Sequence, residues 1–142
     1  MPPWSLPALG ATLAIALHYL TLRAASGRIG DALGALCLEG AAVIGILALI
    51  VLGAVPSTVA ATAAGVGWSA ASGLCISVAS TLLFAALRLG GPVSATGTVV
   101  LGGGVALSAL LAPLFFAEAF TLRRAIGVLL GALAVLVLAT EK

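Results

Sequence analysis

Among the few residues in this sequence that could do chemistry, Glu39 is the sharpest. It lies about two helical turns inside a long apolar run, with Leu38 and Gly40 beside it. Placing a carboxylate charge at that depth of a bilayer costs roughly 3 kcal/mol or more, so an acid there marks function by default. Burial disfavours the charged form of a carboxyl group, which is the property a proton-coupled carrier would use. The plainer reading pairs Glu39 with Arg23 or Arg28 from the preceding loop, or lets it reach the interface. His18 is the single histidine; it could relay a proton near neutral pH or, beside Tyr19, sit in the interfacial aromatic belt.

Small polar residues make a second group. Gly65, Ser69, Ser72, Gly73, Ser77 and Ser80 fall on one broad face at helical spacing, with Trp68 beside them. Such a face either lines a cavity for a modestly polar solute, with Trp68 stacking on it, or packs helix against helix. Gly102, Gly103 and Gly104 lie in one apolar run with Pro113 near its end. Three glycines weaken a helix and proline frees the carbonyl of Ala109, so these four are hinge candidates. The run is not a phosphate loop, because the strand, Lys and Ser/Thr of that motif are missing. Gly127 and Gly131 form a small-xxx-small pair for a partner or a neighbouring helix, and Gly30 with Gly34 forms another. Cys37 and Cys75 stand inside apolar runs and read as packing residues. No metal cluster, cofactor motif, catalytic triad or paired carboxylate is readable, so an enzyme is not expected.

These residues must be positioned by membrane helices. Of 142 residues 63% are hydrophobic and 7% charged, too few charges to coat a soluble domain. A net charge of +2, scattered singly, offers no stripe for nucleic acid. The sequence predicts an all-α polytopic membrane bundle, one domain over residues 1–142. Five spans are expected at about 6–22, 32–55, 62–87, 93–117 and 124–139, each near the 20 residues that cross a bilayer. Arg23, Arg28, Asp31, Arg88, Glu118, Arg123, Arg124, Glu141 and Lys142 become loop markers. The uncharged gap between spans two and three rests on Pro56, Ser57 and Thr58, and Pro92 can open the fourth helix. The first span is not a convincing signal peptide, since no basic residue precedes it and no clear cleavage site follows. Four basic residues (Arg23, Arg28, Arg88 and Lys142) against two (Arg123 and Arg124) favour an outside N-terminus only weakly. So weak a bias admits both orientations, and two opposed copies could pair as the halves of inverted-repeat carriers do.

Three segments resemble a known family. They are Leu22-Arg23-Ala24-Ala25-Ser26-Gly27-Arg28-Ile29-Gly30-Asp31, Ala86-Leu87-Arg88-Leu89-Gly90-Gly91-Pro92-Val93-Ser94, and Phe116-Ala117-Glu118-Ala119-Phe120-Thr121-Leu122-Arg123-Arg124-Ala125-Ile126-Gly127. Their order and spacing resemble a single five-helix EamA-like unit of the drug/metabolite transporter superfamily. The resemblance implies a secondary carrier of small metabolites or drugs in a bacterial inner membrane, equivalent to half of a ten-helix inverted-repeat transporter. It implies work as a homodimer, antiparallel in one form, or as a hetero-pair with a sister chain, as in lipid-carrier flippases. It also promotes His18, Trp68, Ser69, Ser72 and Thr98 to cavity lining, and makes Glu118 a structural residue at a helix turn. Two departures stand out. Ala117 replaces the usual Gly before that acid, and the Pro expected about a dozen residues earlier is absent, with Gly102 to Gly104 nearby. A reading from another class remains: a non-transporting membrane subunit that packs on a larger partner through its glycine faces.

Overall fold

The computed structural model describes residues 5–54, 60–117 and 119–140. Those residues form five helices and no strand: α1 (Ser5–Ala25), α2 (Asp31–Val51), α3 (Ala63–Arg88), α4 (Val93–Phe116) and α5 (Leu122–Ala139). A helix satisfies its own amides, which is what hydrocarbon demands of a spanning segment. Helices α1 to α4 are each long and apolar enough to cross a bilayer. Helix α5, at 18 residues, is the shortest and falls outside that set among the described residues. Pro56, Ser57, Thr58, Glu118, Glu141 and Lys142, used above as boundary markers, lie outside the described residues.

The helix ends follow local chemistry. Helix α1 runs three residues beyond its expected end, to Ala25, because Arg23, Ala24 and Ala25 favour helix. The basic Arg23 in its last turn also suits the negative end of the helix dipole. The chain then reverses through Gly27, whose φ of +77° is the left-handed region that glycine enters freely. There Arg28 N–H donates to the Ala25 carbonyl at 3.0 Å. Helix α2 stops at Val51, four residues before the expected 55. Gly53 there has φ +64°, Gly53 N–H donates to Ile50 and Ala54 N–H to Leu49, both at 3.0 Å. That double closure is a Schellman motif, and it ends the helix although the apolar run continues. Helices α3 and α5 start on hydroxyl caps: Thr62 accepts from Gly65 N–H at 3.1 Å, and Thr121 from Arg124 N–H at 3.3 Å. The Thr121 cap starts α5 at Leu122, two residues earlier than the apolar pattern indicates.

Helix α4 stays helical through Gly102, Gly103, Gly104 and Pro113. Its C-cap is Ala117, with φ 51° and ψ 30°. This left-handed conformation costs an L-residue with a Cβ roughly 1–2 kcal/mol, and it is where a glycine would be expected.

Contacts divide the chain into two compact units, residues 22–89 and residues 1–21 with 90–142. In the first, α2 packs on α3. Its buried apolar side chains are Leu22, Ala35, Leu83, Phe84 and Leu87. Gly34 lets the two helices approach: a Cβ there would lie 2.8 Å from the Phe84 ring and 3.1 Å from Ile29 Cγ2. In the second unit α4 packs on α5. A Cβ on Gly102 would lie 3.2 Å from Val135 Cγ2, so this glycine is a packing point against α5. In the same unit the Tyr19 ring of α1 lies over Gly97, 3.3 Å from where its Cβ would be.

Candidate functional site

The α2–α3 pair is tied by two polar contacts in one antiparallel register. At its end, Arg88 grips Asp31 with both arms of its fork. Nε lies 3.0 Å from each carboxylate oxygen and Nη2 lies 2.8 Å from Oδ2. Bidentate guanidinium–carboxylate pairing of this kind fixes orientation as well as adding attraction. Asp31 opens α2 and Arg88 closes α3, so each charge also faces the helix end whose dipole it favours. Beside them an Arg23 guanidinium N–H donates to the carbonyl of Leu87. That carbonyl belongs to the last turn of α3, where the helix's negative dipole end also favours a cation.

Eight residues further along α2, and eight back along α3, stands the second contact. Ser80 Oγ donates to Glu39 Oε1 at 2.9 Å. Ser80 is buried at 7% exposure and Glu39 is half-buried. Eight residues at a rise of about 1.5 Å place this pair roughly 12 Å along the helices from the Asp31–Arg88 bridge, which is mid-depth for a bilayer whose hydrocarbon edge lies at that bridge. Among the described residues no cation reaches Glu39. Arg23 is turned to Leu87, Arg88 to Asp31, and Arg28 is exposed. The carboxyl group is therefore held by one hydroxyl donor in an otherwise apolar setting.

Beyond this pair the two helices are no longer covered. Every residue from Gly40 to Val51 in α2 and from Ala63 to Val78 in α3 is exposed. Glu39 and Ser80 thus sit at the apex of an open stretch whose walls are aliphatic on α2 and studded with small hydroxyls on α3. Of those hydroxyls, Ser77 turns back onto the Gly73 carbonyl at 3.0 Å, as membrane helices allow.

Within the 22–89 unit the other candidates do not gather around Glu39. Trp68 is 78% exposed, and Ser69 and Ser72 are exposed as well. Trp68 and Ser72 precede Ser80 by twelve and eight residues, roughly 18 and 12 Å along the helix. Ser69 borders a shallow recess of about 620 Å³ with Thr62, Gly65 and Val66. His18 and Thr98 belong to the other unit. His18 is half-buried, with its ring centroid 5.5 Å from that of Tyr19 in an edge-on arrangement. Thr98 is half-buried one turn before Gly102. Cys37 and Cys75 are free and exposed, and no group of three metal-binding side chains occurs among the described residues.

Along α4 and α5 runs an apolar groove of about 510 Å³, whose floor includes Gly102, Ala106, Gly127 and Gly131. A Cβ on Gly127 or Gly131 would meet nothing within 4 Å. Gly34 differs: its place against Phe84 is filled by the chain itself, while Gly30 caps α2 with open space around it. In the sequence Ser80 stands only as one member of a stripe, and Asp31 and Arg88 as loop markers. The signal that joins them is the equal eight-residue offset on two helices that must run antiparallel. Comparison with known proteins finds no match to the chain, whether among family models, curated proteins or solved structures.

Proposed function

We propose that the chain is a small secondary carrier of metabolites or drugs in a bacterial inner membrane, an EamA-like five-helix unit working as a dimer. The observation that carries this reading is the Glu39–Ser80 pair: an acid at bilayer depth, held by a neutral donor and open on one side. A purely structural acid at that depth is expected to be matched by a cation, and none of Arg23, Arg28 and Arg88 pairs with Glu39. A carboxyl with one hydroxyl partner can exchange a proton or meet a solute group without first breaking an ion pair. Two units, parallel, opposed or matched with a sister chain, would enclose the α2 and α3 walls that one unit leaves exposed.

Purified protein reconstituted in liposomes is expected to move solutes from a panel of small metabolites and drugs faster than empty liposomes do. A panel without a single transported solute would count against the carrier. Reporter fusions at Lys142 test the antiparallel form; one orientation in all copies would exclude it and leave a parallel or hetero-paired unit.

One observation favours a second reading, a membrane subunit without transport of its own. Among the described residues nothing lies within 4 Å of where a Cβ on Gly127 or Gly131 would be, and small-residue grooves are how membrane helices seat a partner. Transport by the chain alone in liposomes separates the two.

A further inference from the structure

We infer that Arg23 and Arg28, on either side of the reversal between α1 and α2, bind the phosphate of an anionic phospholipid. The two side chains are the uncompensated cations of the 22–89 unit. Arg88 is neutralised by the bidentate grip of Asp31. Arg23 rests on a neutral carbonyl, that of Leu87, so it keeps its full charge. The bond uses one of the five N–H donors of a guanidinium and anchors its head, and the rest remain available to an anion. Arg28 is exposed, with no hydrogen bond or ion pair of its side chain among the described residues. Both arginines stand where apolar helices end, at the level of lipid headgroups. Positive charges at that level attract anionic lipid in preference to zwitterionic lipid.

The surroundings favour a lipid over a free phosphate ion. Leu89, 78% exposed, follows Arg88 directly, and Leu33 on the first turn of α2 is exposed too. Exposed apolar side chains at this end of the unit suit acyl chains and give nothing to an inorganic ion. This inference is independent of the transport reading: a non-transporting subunit would carry the same site.

The test titrates purified full-length protein in neutral detergent with phosphatidylglycerol and with phosphatidylcholine, counting bound lipid by native mass spectrometry. The wild type is expected to prefer phosphatidylglycerol by about tenfold. Arg23→Gln with Arg28→Gln is expected to abolish the preference, and Arg28→Gln alone, at an exposed position without contacts, to reduce it about threefold. Asp31→Asn with Arg88→Gln removes one charge of each sign and is expected to leave the preference intact. An unchanged preference in Arg28→Gln and in the double Gln variant would overturn the proposal. So would its loss in the presence of excess inorganic phosphate, which would make this a site for small anions.

Discussion

The hairpins α2–α3 and α4–α5 are held together by different means. The first is tied by side-chain polarity at one end and at mid-depth, with large apolar residues buried between the two ties: Phe84 is 3% exposed and Leu87 is fully covered. The second shows close approach at Gly102, where a Cβ would lie 3.2 Å from Val135 Cγ2. A polar tie in lipid is specific but costly to satisfy, whereas glycine contact is inexpensive and unselective. Chemistry is thus concentrated in the first hairpin, and the second supplies surface.

The contrast can be broken most severely at Phe84. Phe84→Ala removes the ring that fills the notch at Gly34, and a loss of about 3–5 kcal/mol of stability is expected. Thermal unfolding in detergent, followed by circular dichroism, checks it. Gly34→Ala should cost about 1–3 kcal/mol in the same assay, because its new methyl group meets a ring that is itself packed. Gly127→Ala sharpens the comparison. It should leave the isolated chain as stable or raise stability by up to about 1 kcal/mol through helix propensity. A lowered dimer fraction in that variant, read by analytical ultracentrifugation, would place a second copy in the α4–α5 groove. Ala117→Gly should gain about 1 kcal/mol by relieving the left-handed cap. The smallest effect is expected at the exposed Asp31–Arg88 bridge. Asp31→Asn should lower the melting temperature slightly, less so at high salt, and the exchange Asp31→Arg with Arg88→Asp should restore part of the loss.

Composition and run length make the helical class legible, since apolar runs this long without alternation exceed the strands of a membrane barrel. Ends were less so. Hydropathy runs smoothly past Val51, and only the conformation of Gly53 stops α2 there. The depth of Glu39 was readable from its position, but its partner was not. Arg23 and Arg28 are nearer in sequence than Ser80, and long-range attraction between opposite charges favours them on paper. Geometry decides otherwise, because the Arg23 head is taken by the α3 carboxyl end and the register brings Ser80 opposite. Trp68 illustrates the reverse: an aromatic residue beside a serine face suggests a cavity, yet its ring lies on an uncovered stretch of α3. The departure at Ala117 was visible as a missing glycine, and the reason a glycine would suit it became clear only with the backbone angles.

The central claim is that Glu39, presented by Ser80, is the working group of a carrier. The most direct measurement compares wild type with Glu39→Gln in the same liposomes, following both a transported solute from the panel and lumenal pH with a trapped dye. Glu39→Gln is expected to fold, to keep the Ser80 contact through its amide oxygen, and to lose both solute flux and coupled proton movement. Equal solute and proton flux in the two proteins would contradict it and leave the Glu39–Ser80 pair as a tie between helices.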